Sequence, residues 1–220
     1  LNQAASAAGR ESSRQSLTVL LSEEETRDLV LDDEVLIQAI LERQGALLIS
    51  PFLFFYLLTR KALRGAGIES RSLSDYVGAL LSEFSHVRAW QTPGGSETST
   101  LYLSDLLQAL QKTQGRQAFL LQAHIGNLAL FLSGLFHERV EKRRQRGAPS
   151  LAFYEQLGQR NFALAAQTPY AKECDLHLIY EELADTFPVT RQALNRLSDE
   201  LLQLDEGPRC SFEENQGRVA

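Results

Sequence analysis

The segment from Gly115 to Arg146 constrains this chain more than any other. Between Phe119 and Phe136 it reads FLLQAHIGNLALFLSGLF. Leu121, Ile125, Leu128, Leu132 and Leu135 recur at steps of four and three, the spacing of a helix face. Leu120, Phe131 and Phe136 widen the apolar arc beyond one stripe, and a helix apolar on most sides belongs in the middle of a bundle. The pattern predicts one long helix ending in the basic run RVEKRRQR at 139–146, where cations favour the carbonyl end of the helix dipole. Gly126 and Gly134 weaken such a helix by roughly 1 kcal/mol each relative to alanine, so they mark close packing or a kink at Gly134. The segment is long enough to raise the question of a membrane span, with Lys142, Arg143 and Arg144 as a basic flank. Gln122, His124 and Asn127 are expensive in hydrocarbon, and we expect a buried central helix with no span.

The rest of the chain punctuates as further helices. Ser50-Pro51 is a start signal, a serine cap before a proline whose missing N–H costs nothing, and Gly65 and Gly67 can stop that helix. Ser70 or Ser72 caps a helix over 73–84, and TPGGSETST at 92–100 reads as a loop. Helices follow over 101–111, from Ser150 to the break at Thr168-Pro169, over 171–186 and over 190–204. A shorter one is expected from 34 to 43, capped by Asp32 or Asp33. No useful length alternates with period two. The expected fold is all-α, a compact bundle of about eight helices around the central apolar one. Residues 1–15 read as a leader, 16–205 as a single helical domain and 206–220 as a polar tail.

With 220 residues the chain can bury one real core. Its net charge of -6 argues against broad nucleic-acid binding. Cys174 and Cys210 form no CxxC and no metal knuckle, and residues 1–16 contain no apolar signal region; both point to a reducing, cytoplasmic setting.

Few residues group as a site. Glu173, His177 and Glu181 are spaced to stack on one side of a single helix with oxygen, nitrogen and oxygen donors in line, a weak metal candidate that needs further ligands. His124 shares a side of the central helix with Asn127; the expectation is a core histidine bonded to Asn127 or to a neighbouring helix, with ligand binding as the alternative. Phosphate loops, GxSxG, HExxH and EF-hand motifs do not occur, and no cofactor is implied.

Residues 181–197, EELADTFPVTRQALNRL, carry a small residue, Ala184, followed by apolar Val189, Leu194 and Leu197. This segment is similar to the helix–turn–helix of DNA-binding proteins, although Pro188 stands near the place of the usual turn glycine. The resemblance implies that Thr190, Arg191, Gln192, Asn195 and Arg196 form a DNA-facing set. It spans about 17 residues and is flanked by Glu181, Glu182, Asp185, Asp199 and Glu200, which would oppose a phosphate backbone.

The dense aromatics Phe52, Phe54, Phe55 and Tyr56 point to an enclosed helix or to homodimerisation through it. Since no catalytic set converges, the sequence favours a non-enzymatic interaction or scaffold protein. A DNA-associated regulator and a metal- or small-molecule-binding helical protein are the alternatives.

Overall fold

A computed structural model describes residues 31–35, 37–38, 50–85 and 103–205, the last five by their backbone only. The expected leader, the loop at 92–100 and the polar tail lie outside the described residues.

From residue 50 on, eight helices follow one another among the described residues: α1 (Pro51–Gly65), α2 (Arg71–Phe84), α3 (Leu103–Gln111), α4 (Gly115–Leu135), α5 (His137–Arg144), α6 (Leu151–Ala166), α7 (Pro169–Glu173) and α8 (His177–Asp205). Their boundaries follow from local chemistry. Ser50, Ser70, Ser150 and Thr168 each accept a backbone N–H from three residues downstream, capping α1, α2, α6 and α7. α1 ends where Gly67 takes φ +82, which lets Gly67 N–H reach the Arg64 carbonyl and Ile68 N–H the Leu63 carbonyl. This is a Schellman closure, sealed by contact among core residues Ile68 and Leu63. The same closure recurs at Gly147 (φ +86) after α5 and at Asp175 (φ 55) after α7.

α4 occupies the centre, packed against α2, α3, α5, α6, α7 and α8. By length and composition it could cross a membrane, but 67% of its most apolar window is buried inside the protein. Three side chains lock this centre by lying over glycines. Phe162 of α6 covers Gly126 of α4, Phe187 of α8 covers Gly158 of α6, and Leu194 of α8 covers Gly134 of α4. All three side chains are fully buried. α1 and α2 form an antiparallel pair so close that a Cβ at Gly78 would sit 2.8 Å from the Tyr56 Cα, and the pair packs on α8.

Three boundaries differ from the sequence expectation, one of them the break between α7 and α8 inside the helix expected over 171–186. The central helix is not continuous to Arg146: it breaks at Phe136 (φ -118, ψ 32), and the basic run forms the separate α5. The last two expected helices are one, since α8 runs 29 residues straight through Pro188. Proline removes the N–H that would bond the carbonyl four residues back, that of Ala184. Gln159 Nε2 of α6 donates to that carbonyl at 3.2 Å, so the ladder's missing bond is supplied from outside.

Candidate metal centre

The sequence-expected residues are dispersed. His124 is buried and stacked on Phe84, 23° between ring planes, and its Nε2 has no partner. The expected bond to Asn127 is not made, because Asn127 Oδ1 accepts instead from the Tyr76 hydroxyl at 2.8 Å. Burial holds the His124 imidazole below its ordinary pKa and keeps it neutral. Burial likewise raises Tyr76 and Tyr180, whose hydroxyls lie 3.4 Å apart, so this polar knot stays uncharged.

Glu173, His177 and Glu181 do not share a helix. Glu173 ends α7, Asp175 adopts the left-handed conformation, and His177 opens α8, so the three donors never stack. The spacing argument fails because it assumed continuous helix across 174–176.

No turn splits 181–197, which lies wholly within α8, so the two-helix geometry of the resemblance is not formed. Thr190 is fully buried. Arg191 pairs with Glu155 of α6 at 2.6 Å and donates to Asn195 Oδ1. Asn195 Nδ2 donates to the carbonyls of Ser133 (2.8 Å) and Gly134 (2.6 Å), and Ser198 Oγ donates to that of Leu135 (2.8 Å). These carbonyls lie in the last turn of α4, the ones a helix end leaves without partners. Two side chains of α8 thus cap α4. Of the five residues in the implied set, only Gln192 and Arg196 are exposed.

That cap creates the one metal-ligand grouping among the described residues. It fixes the α4–α5 corner against α8 and brings His137, the first residue of α5, to Asp199, next to Ser198. His137 Nε2 and Asp199 Oδ1 are 3.4 Å apart, and Glu138 completes a set whose three donor atoms all lie within 4.8 Å of one another. The histidine is mostly covered, while Asp199 and Glu138 are open to solvent. Glu138 also accepts from Lys142 Nζ at 3.1 Å, and this hydrogen bond holds its carboxyl below the usual carboxylate pKa. His137 Nδ1 is buried without a partner.

The grouping is invisible in the sequence. His137 and Glu138 are neighbours that a helix would normally point apart, and Asp199 lies far downstream; only the capping of α4 by Asn195 and Ser198 joins them. Comparison with known protein families, with curated proteins and with solved structures finds no match for this chain.

Proposed function

We propose that this protein binds a divalent metal cation through His137, Glu138 and Asp199, and that its role is ligand binding rather than catalysis. The observation that carries the reading is the convergence of one imidazole and two carboxylates, from two helices, within 4.8 Å. A nitrogen–oxygen–oxygen set suits zinc, nickel or manganese, and three protein ligands leave a coordination position for water or a small ligand. Donors around a tetrahedral zinc stand about 3.3 Å apart, given metal–ligand bonds of about 2 Å. The His137–Asp199 separation of 3.4 Å already meets that spacing. Glu138 must leave Lys142 and swing in, which its exposure permits. The affinity supported is modest: a cation on Nε2 fixes the proton on Nδ1, which is buried with no acceptor.

Isothermal titration of the metal-free protein with zinc and with nickel tests this. One site is expected, weakened at least about tenfold by His137→Gln or Asp199→Asn and unchanged by His177→Gln. Affinity falls as pH drops, because protons compete for the same donors. Undiminished binding in His137→Gln, or no one-to-one binding of either ion, would refute the assignment.

A second reading, a cytoplasmic interaction protein that pairs through α1, draws support from Phe52, which stays 44% exposed at the start of that helix. Tyr56 is buried and Phe54 and Phe55 pack against the core, so any such contact is narrower than the aromatic density implies. Light scattering on Phe52→Glu and the parent chain distinguishes the two: a dimer lost in the variant supports pairing, and a monomer in both rejects it.

A further inference from the structure

α5 has a second face. Arg139, Val140 and Arg143 border a cleft of about 360 Å³ between the α4–α5 corner and the start of α6. Leu132 and Phe136 of the corner, Val140 and the Tyr154 ring give it apolar walls. The closure at Gly147 turns the chain back, so that Ala148 and Pro149 roof one side. The cleft is therefore built by the same break at Phe136 that separates α5 from α4.

The charges of α5 divide unevenly. Lys142 pairs with Glu138 at 3.1 Å and Arg144 with Glu141 at 3.1 Å. Arg139 and Arg143 form no ion pair with any described residue, and both line the cleft. Four residues apart on one helix, they stand one turn above the other on the same side. Two guanidiniums with no ion pair to any described residue, beside an apolar hollow, are complementary to an anion that carries an apolar tail. At about 30 Å³ per water-sized group, the space holds roughly a dozen heavy atoms. That is one short acyl or aryl chain with its head group.

We infer that the cleft bordered by Arg139, Arg143, Phe136 and Tyr154 is a binding site for a small amphiphilic carboxylate, its tail against Leu132, Phe136 and Val140 and its head between the two arginines. Burial holds the Tyr154 phenol above its ordinary pKa, so it remains a neutral hydrogen-bond donor near that head. The site is separate from the cation-binding reading: His137, Glu138 and Asp199 do not line the cleft, and either can fail alone.

The test uses octanoate, titrated into the full chain by calorimetry in metal-free buffer. Binding with a dissociation constant at or below about 1 mM is expected. Octanol and octylammonium, which keep the tail and lose the negative head, should bind at least about tenfold more weakly, as should acetate, which loses the tail. Arg139→Gln with Arg143→Gln should weaken octanoate at least about tenfold. Ala148→Trp, which fills the cleft without touching its charge, should abolish binding while leaving zinc titration unchanged. Octanol binding as well as octanoate, acetate binding as well as octanoate, or octanoate binding that survives both the double arginine variant and Ala148→Trp would overturn the proposal. So would no octanoate binding up to several times that concentration.

Discussion

A Cβ added at Gly158 would collide with the Phe187 ring, and the ring is fully buried with nowhere to go. Gly158→Ala should destabilise the protein by about 1–3 kcal/mol despite alanine's better helix propensity. Gly65, in the last turn of α1, has open space where a Cβ would stand, so Gly65→Ala should stabilise by up to about 1 kcal/mol. Denaturant melts of the two variants check both signs; equal effects would mean that Phe187 does not press on α6. His124 makes a different prediction. Its imidazole is held below the ordinary value of 6.5 when folded, so the unfolded chain binds the extra proton first. Above pH 6.5 the residue contributes no pH dependence. Below it stability falls, until the folded imidazole is protonated as well. His124→Leu should remove that slope and, by deleting an unpartnered Nε2, cost little at neutral pH. A slope unchanged in His124→Leu, followed by melts between pH 5 and 7.5, would contradict the burial argument.

At the scale of elements, α8 shows how far local signals reach. Ser50, Ser150 and, of the two candidates Ser70 and Ser72, Ser70 announce three helix starts, because a cap is a property of three or four neighbouring residues, whereas Thr168, read as the break after α6, is the cap of α7. Pro188 misleads, because its cost depends on a partner in another helix. Gln159 bonds the freed Ala184 carbonyl, and Phe187 and Leu194 anchor both sides of the proline over glycines of α6 and α4. The break between Glu173 and His177 is hidden for the opposite reason: Asp175 adopts a left-handed conformation that its residue type permits but does not demand. The buried face of α4 was legible from its periodicity, whereas its end at Phe136 was not, since the carbonyl caps come from Asn195 and Ser198. The Gln159–Pro188 arrangement is testable as a double-mutant cycle. Gln159→Leu should cost about 1 kcal/mol in the parent and distinctly less in Pro188→Ala, where the restored N–H serves Ala184. Additive effects would show that the two residues act independently.

Over the whole molecule, ion pairs join segments that lie far apart in the sequence. Arg60 of α1 is 3% exposed; it donates to both Asp32 carboxylate oxygens, at 2.8 and 3.1 Å, and to the Glu69 carbonyl at 2.7 Å. Arg71 of α2 reaches Asp32 at 2.7 Å, so one carboxylate ties residues 31–35 to both α1 and α2. The hydrogen bond from Arg60 leads the causes that hold the Asp32 carboxyl below its ordinary 3.8. Its contribution to stability is therefore complete above pH 3.8 and is lost as pH falls through the lower folded value. Asp32→Ala, which leaves the buried Arg60 guanidinium with Glu69 alone as partner, should cost about 2–3 kcal/mol at neutral pH and flatten the acid limb below 3.8, a window well separated from that of His124. The same logic of distant segments joined by polar groups places His137 and Glu138 of α5 beside Asp199 of α8. The most direct test of the cation site is anomalous diffraction at the zinc edge from crystals grown with one equivalent of zinc. A peak about 2 Å from His137 Nε2 and from carboxylate oxygens of Asp199 and Glu138 is the predicted result. A map with no peak there, or with zinc bound only at another histidine, would contradict it.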